Sequence, residues 1–223
     1  MTIKTPKILH EDDWRNLKKD YAFLKDDKDI SQRMALLTEF FKRISPKKIL
    51  DIGCGSGYLG HLIKKLDNNV LINGFDVSEH AVTQAQSYDK VYCLDLDKQD
   101  VPEQDAFFDM VVCAEVIEHI YDVDHCLNEI KRLLKPGGKA IVTTPNFGYW
   151  KYRIYCLLGR MPKLLRDPRH IHTFNHKFLA ELCYNSGFDI AYTVKEKNGP
   201  LAKVIETIFN KTIILILTKR NYE

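Results

Sequence analysis

Paired cysteines at metal-binding spacing, a long apolar run and a lopsided charge are all missing from this chain of 223 residues. Its six cysteines (Cys54, Cys93, Cys113, Cys126, Cys156 and Cys183) are scattered, with no Cys-x-x-Cys pair. That distribution reads as free thiols in a reducing cytosol, not a disulfide framework or a zinc site. The longest aliphatic run, residues 213–217, is far too short to span a bilayer and reads as a buried strand. A net charge of +3 is too small to imply a nucleic-acid partner by itself. The N-terminus is polar and mixed in charge, unlike a secretory signal peptide, which predicts a cytoplasmic protein. Internal repeats and low-complexity tracts are absent as well. What remains is ordinary: 45% apolar and 28% charged residues, in a length that allows one sizeable domain with its own core.

The informative stretch is residues 49–57, Ile-Leu-Asp-Ile-Gly-Cys-Gly-Ser-Gly. A short apolar run ends in Asp51, then turns through Gly53, Gly55 and Gly57 into an amphipathic helix carrying Leu59, Leu62, Ile63 and Leu66. Glycines there let the backbone take tight or positive-φ turns and approach a ligand with no Cβ in the way. Asp51 falls at the carboxyl end of the strand, where open α/β sheets bind ligands, and its charge suits a cation better than a pyrophosphate. Three more acids end strand-like runs. Asp76 follows 69–75 and is placed to accept from both ribose hydroxyls of a nucleoside. Asp95 follows 90–94 and can receive an adenine amino group. Glu115 follows the run at 107–113. Ser78 is positioned to cap a helix over 79–87. Lys135-Pro-Gly-Gly-Lys139 turns into an apolar strand over 140–144.

The spacing Asp-x-Gly-x-Gly-x-Gly resembles motif I of the class I S-adenosylmethionine (SAM) methyltransferases, and the Lys-Pro-Gly-Gly turn resembles the same superfamily. The resemblance covers about residues 47–145. It implies an α/β fold: a Rossmann-like, seven-stranded, mostly parallel sheet with one antiparallel strand and helices on both faces. It implies SAM as cofactor and S-adenosylhomocysteine as product. The cofactor contacts it implies are Asp51, Gly53, Cys54, Gly55, Gly57, Tyr58, Asp76, Val77, Asp95, Leu96 and Glu115.

Outside that core, residues 1–45 are expected to form an N-terminal helical cap, and residues 46–223 the SAM-binding domain. Trp14, Leu17 and Tyr21 are spaced for a helix, and a stronger one is expected over 31–41 with Met34, Leu37, Phe40 and Phe41 on one face. A helix at 176–185 and strands at 188–194 and 211–218 close the pattern. An insertion at about 145–176 breaks it. This stretch carries Lys151, Arg153, Arg160, Lys163, Arg166 and Arg169 against the single acid Asp167, with Phe147, Tyr149, Trp150, Tyr152 and Tyr155 interleaved. Basic and aromatic residues together suit an anionic small molecule, a single-stranded nucleic acid or an anionic membrane surface. Pro-Asn-Phe-Gly-Tyr-Trp with Gly-Arg-Met-Pro resembles the MetW family of methionine-biosynthesis-associated, methyltransferase-like proteins. That resemblance implies an alternative role, a SAM-binding partner protein without turnover.

Glu115-Val-Ile-Glu118-His119 adds a second constellation, with His172 downstream. On a helix, positions i, i+3 and i+4 share a face, so Glu115, Glu118 and His119 are expected to converge. Two carboxylates and one or two imidazoles suit Mg²⁺, Mn²⁺ or Zn²⁺, or a metal-free acid–base site, which is the favoured form. The pattern is similar to the metal site of the small-RNA 3′-end 2′-O-methyltransferases and also resembles the ubiquinone-biosynthesis O-methyltransferases. The continuation His172-Thr-Phe-Asn departs from the RNA family's acidic-aromatic one and weighs against a nucleic-acid substrate, which leaves RNA 2′-O-methylation as a further alternative that the resemblance implies. The expected function is SAM-dependent methylation of an oxygen or nitrogen on a small, anionic acceptor. Candidate bases are His119, then His172, then Tyr149, since an imidazole titrates near neutral pH.

Overall fold

Ile49, Leu50 and Ile52 have no exposed surface, and this burial on both faces is what a central parallel strand requires. They belong to β1 (Lys48–Ile52), which pairs in parallel with β2 (Leu71–Asp76); β2 in turn pairs in parallel with β3 (Lys90–Cys93). The computed structural model describes residues 28–193 and 208–220, together with Lys7 and Glu11. The chain forms two compact units, Met1–Asp95 and Leu96–Glu223. In the second, β4 (Phe108–Ala114) pairs in parallel with β5 (Leu134–Pro145). Strand β7 (Thr212–Lys219) then runs antiparallel to both β5 and β6 (Phe188–Thr193). The strands are ordered β3-β2-β1-β4-β5-β7-β6 in one seven-stranded sheet, so the expected mostly parallel sheet with one reversed strand is present.

Helix α1 (Lys28–Ile44) extends the expected 31–41 span at both ends and buries Leu37, Phe40 and Phe41. The part of the expected cap before residue 28, including Trp14, Leu17 and Tyr21, lies outside the described residues apart from Lys7 and Glu11, as does Val194 at the end of the 188–194 strand. Helix α2 (Tyr58–Leu66) follows the glycine loop and turns Leu59 and Ile63 inward. Ser78 caps α3 as expected, its hydroxyl accepting from the Ala81 N–H at 3.1 Å. The expected helix over 79–87, however, stops at Val82: α3 is only Glu79–Val82. Gln84 N–H donates to Ala81 and Ala85 N–H to Val82, so i→i+3 turns replace the α-helical ladder and carry the chain to Tyr88.

The Lys-Pro-Gly-Gly turn also differs from expectation. It lies inside β5 as a bulge, with the register passing from Phe108↔Leu134 to Met110↔Lys139. Helices α4 (Val123–Leu133), α5 (Trp150–Leu157), α6 (Lys163–Arg166) and α7 (His176–Asn185) complete the second unit. The caps of α4 and α7 come from Asp122, accepting from His125 N–H, and Asn175, accepting from Phe178 N–H. No described helix is long and apolar enough to cross a membrane.

Tyr88 is the tightest packing feature of the first unit. Its buried ring lies against three glycines: a Cβ on Gly60 would meet its Cδ2 and Cζ at 2.8 Å, and one on Gly74 its Cε1 at 2.8 Å. A Cβ on Gly57 would meet Ala85 Cα at 2.8 Å and the Tyr88 ring at 3.1 Å. An exposed glycine inside a helix normally costs about 1 kcal/mol relative to alanine. At Gly60 the sign should invert. Gly60→Ala is expected to destabilise the protein by about 1–3 kcal/mol through overpacking, and much of that loss should disappear in a Tyr88→Leu background. Denaturant unfolding of the four-member cycle measures both; additive effects would show that the ring is not the obstacle.

Candidate functional site

Loop 53–57 is laced to β2 by its own backbone. Gly53 N–H and Cys54 N–H both donate to the Phe75 carbonyl, at 2.8 and 2.9 Å. Gly53, Gly55 and Gly57 all have positive φ (70°, 53° and 88°), conformations that only glycine takes at little cost. Gly55 N–H then donates to Asp76 Oδ2 at 2.9 Å, and Ser78 N–H donates to Oδ1 at 2.9 Å. Asp76 is only 8% exposed, and burial raises its pKa despite the N–H groups of Ser78, Gly55 and Val77 that favour the anion. A carboxylate fixed this way still has acceptor capacity, and hydroxyl donors from a ligand would complete it. Cys54 is buried beside it, and burial pushes its thiol up, which leaves it an inert wall residue, not a nucleophile. Tyr58 and Val77 are half-buried at the rim, and Asp95 ends the first unit two residues beyond β3.

Asp51 lies beneath this loop. Its Oδ2 accepts from the Tyr88 hydroxyl at 2.5 Å, and that hydroxyl accepts from Gly60 N–H at 3.1 Å. Burial pushes the Asp51 carboxyl up to about 7, opposed by the Tyr88 bond and reinforced by the Asp76 charge. A buried acid held so high is suited to a cationic group of a ligand, whose charge would bring it down. Tyr88 itself was not singled out by the sequence, because Ser-Tyr-Asp-Lys reads as a surface turn.

The second unit carries the Glu/His constellation, and here the structure corrects two expectations. Glu115, Glu118 and His119 do not share a helix face. Glu115 closes β4 with φ of +58°, donating its N–H to Thr143 O and accepting from Thr143 Oγ1 at 3.0 Å, while residues Ile117–His119 form a single 3₁₀ turn. A left-handed residue between strand and turn breaks the helical frame that the spacing assumed. Second, the imidazole joining Glu118 and His119 is that of His170. Ligand atoms of these three lie within 4.8 Å of one another, the one such group among the described residues that could hold a metal ion. His172 turns away, with Nε2 3.3 Å from the Tyr121 carbonyl. Tyr149, the third candidate base, packs edge-on against Trp150 and Tyr152. Leu96 is buried at the start of this unit.

The group is built by the return leg of the insertion. Glu118 is 1% exposed; its Oε2 accepts from Thr144 Oγ1 at 2.9 Å, and its carbonyl accepts from the N–H groups of Ile171 and His172. His119 Nδ1 lies 3.0 Å from the Arg169 carbonyl, which can only accept, so Nδ1 carries the proton and Nε2 keeps its lone pair in the neutral ring. His170 Nδ1 likewise donates to the Leu164 carbonyl at 2.9 Å. The two rings lie 4.9 Å apart, centroid to centroid. Chemically, the arrangement offers one carboxylate and two imidazole nitrogens, enough to take a proton or hold a divalent cation.

A methyltransferase-domain family model matches residues 25–193. The chain belongs to this family. A probable S-adenosylmethionine-dependent methyltransferase of Mycolicibacterium smegmatis is 33% identical over 158 residues, 70% of this chain and 58% of that protein. A ubiquinone biosynthesis O-methyltransferase of Coxiella burnetii is 30% identical over 133 residues, 57% of this chain and 56% of its own. The chain thus spans little more than half the length of these curated relatives. Among solved structures, a SAM-dependent methyltransferase from Archaeoglobus fulgidus superposes with a TM-score of 0.63 at 18% identity, over 90% of this chain and all of its own. The N-methyltransferase NodS from Bradyrhizobium japonicum, solved with S-adenosylhomocysteine, gives 0.63 at 15% identity over 95% and 99%. Both show the same class I methyltransferase fold.

The raised Asp51 carboxyl has a consequence for the ligand-free chain. Between about pH 4 and 7 the unfolded chain releases the Asp51 proton while the folded chain retains it, so stability falls as pH rises across that window and levels off above it. The difference in melting temperature between wild type and Asp51→Asn should therefore change progressively from pH 4.5 to 7.5, by the equivalent of a few kcal/mol. A pH-independent difference would show that Asp51 titrates normally.

Proposed function

We propose that this chain transfers the methyl group of SAM to an oxygen or nitrogen of a small, acidic molecule. The observation that carries the reading is the buried Asp76, its two oxygens fixed by Gly55 and Ser78 N–H groups at the end of β2. Its setting suits a ribose, and the raised Asp51 near the end of β1 suits a cationic amine. Bound SAM supplies a methyl group already activated by its sulfonium. The chain's own tasks are then to hold donor and acceptor in line and to remove one proton. His119 Nε2 is the assigned base, because the Arg169 carbonyl keeps the proton on Nδ1. His170 stands beside it as a second imidazole, and Glu118 stabilises the positive charge that His119 acquires. The cations between residues 151 and 166 favour an anionic acceptor.

Calorimetry should show SAM and S-adenosylhomocysteine binding, with Asp76→Ala weakening it by about 1–3 kcal/mol and Gly55→Val abolishing it. NAD binding in place of SAM, or unchanged affinity in both variants, would overturn the cofactor assignment. SAM binding without turnover on any carboxylated or phosphorylated acceptor would instead favour a partner role of the MetW kind.

The base assignment predicts a loss of about 10²–10⁴ in kcat for His119→Ala, a smaller loss for His170→Ala, and little change for His172→Ala. Activity should survive exhaustive chelation. Activity lost on chelation and restored by Mg²⁺, Mn²⁺ or Zn²⁺ would show that Glu118, His119 and His170 hold a metal.

A further inference from the structure

The insertion leaves the fold and returns at one place. Asn146 and Phe174 form an isolated bridge, Phe147 N–H donates to the Phe174 carbonyl at 2.8 Å, and Asn146 N–H donates to the Lys211 carbonyl. The return leg is bound to the Glu118–His119 turn. The outgoing half is different in kind: α5 buries none of its side chains. Ile154, Leu157 and Leu158 fall at i, i+3 and i+4 on one face of α5 and its C-cap, and Met161 follows in the next turn. Leu157 is 85% exposed, Leu158 63% and Met161 61%. A chain does not ordinarily leave three large aliphatic side chains in water side by side.

We propose that this face docks onto the surface of an anionic phospholipid membrane, with the aliphatic side chains entering the acyl boundary and the flanking cations meeting lipid phosphates. The charge pattern selects this occupant. Lys151, Arg153, Arg160, Lys163 and Arg166 flank the apolar residues, and no acid occurs between residues 146 and 166. The first acid beyond, Asp167, is engaged by Arg169 through Nε at 2.9 Å and Nη2 at 2.6 Å. A second copy of the chain would bring five like charges against five, which opposes association. Single-stranded nucleic acid stacks its bases on a run of exposed aromatic faces, but Tyr149, Trp150 and Tyr152 are half-buried, only Phe147 and Tyr155 are exposed (36% and 40%), and the most exposed side chains are aliphatic. Aliphatic residues ringed by Lys and Arg match an interfacial helix on an anionic bilayer. The surface goes beyond the methyl-transfer reading, with which it shares the cations of residues 151–166, and rests on the exposed aliphatic face that the reading does not use.

The test is vesicle co-sedimentation of the full chain without SAM or acceptor, so its outcome is independent of turnover. Vesicles of phosphatidylcholine containing about one-third phosphatidylglycerol should bind the protein at least roughly tenfold more tightly than phosphatidylcholine alone, and binding should weaken with salt. Two triple variants, Leu157→Ser/Leu158→Ser/Met161→Ser and Lys151→Glu/Lys163→Glu/Arg166→Glu, should each lose at least roughly tenfold in partition. Both change exposed side chains, and unaltered melting temperatures confirm folding. As a readout needing no surface variant, Trp150 emission in a Trp14→Phe background should shift to the blue on anionic vesicles and be quenched by brominated lipid. Absence of binding to anionic vesicles, binding unchanged in both variants, or a dimer that the serine variant dissociates would each overturn the proposal.

Discussion

The hydroxyl of Tyr88 is the point on which the glycine loop and its neighbours depend. It donates to Asp51 at the end of β1 and accepts from Gly60 in α2, while the ring fills the space that Gly57, Gly60 and Gly74 leave open. One buried side chain therefore fixes the distance between strand, loop and helix. The glycines of the signature consequently answer two separate demands. Gly53 and Gly55 supply positive φ to a loop hydrogen-bonded to β2, whereas Gly57 meets both demands, with a φ of 88° and a close approach to Ala85 and the Tyr88 ring. The arrangement has a cost in ionisation. Withdrawal from water, with the Asp76 charge nearby, raises the Asp51 carboxyl to about 7 against the opposing hydrogen bond from Tyr88, and leaves the site complementary to positive charge.

The strand-ending acids were legible in the sequence because strand burial and strand ends leave local marks: an apolar run, then an acid, then a turn residue. Ser78 was legible for the same reason, its capping bond spanning three residues. Tyr88 was not, because its partners lie 28 and 37 residues away and nothing in Ser-Tyr-Asp-Lys marks burial. Glu-x-x-Glu-His misled in an instructive way. The spacing fits a helix, yet β4 runs on to Ala114 and Glu115 takes a left-handed turn, which periodicity cannot show. The choice between His170 and His172 was equally beyond local reading, since both lie within one Arg-His-Ile-His stretch. The Glu118 carbonyl decides it by pairing with the backbone of residues 171 and 172, leaving the ring of His170 beside that of His119.

The insertion divides its labour along its length. On its outgoing half, α5 leaves an apolar face outward, with Arg153 Nε donating locally to the Gly148 carbonyl. Its return leg does the reverse and presents backbone groups to the Glu118–His119 turn. The same excursion can therefore serve the proposed docking surface on one side and shape the Glu118–His119 turn on the other, with the Asn146–Phe174 bridge as the shared anchor.

The return leg also decides the protonation state on which the base assignment rests. The Arg169 carbonyl holds the His119 Nδ1 proton, so the residue that positions that carbonyl governs which nitrogen is basic. Arg169 is itself fixed by Asp167, through its backbone N–H at 3.0 Å and its guanidinium at 2.6 and 2.9 Å. That guanidinium keeps the Asp167 carboxyl well below the usual carboxylate range, so the pair stays charged through the whole span in which an imidazole titrates. The support does not titrate with the group it supports. In the proposed role, His119 would gain and lose a proton at Nε2 while the geometry that defines its tautomer stays constant, which is the condition a proton acceptor must meet to act repeatedly.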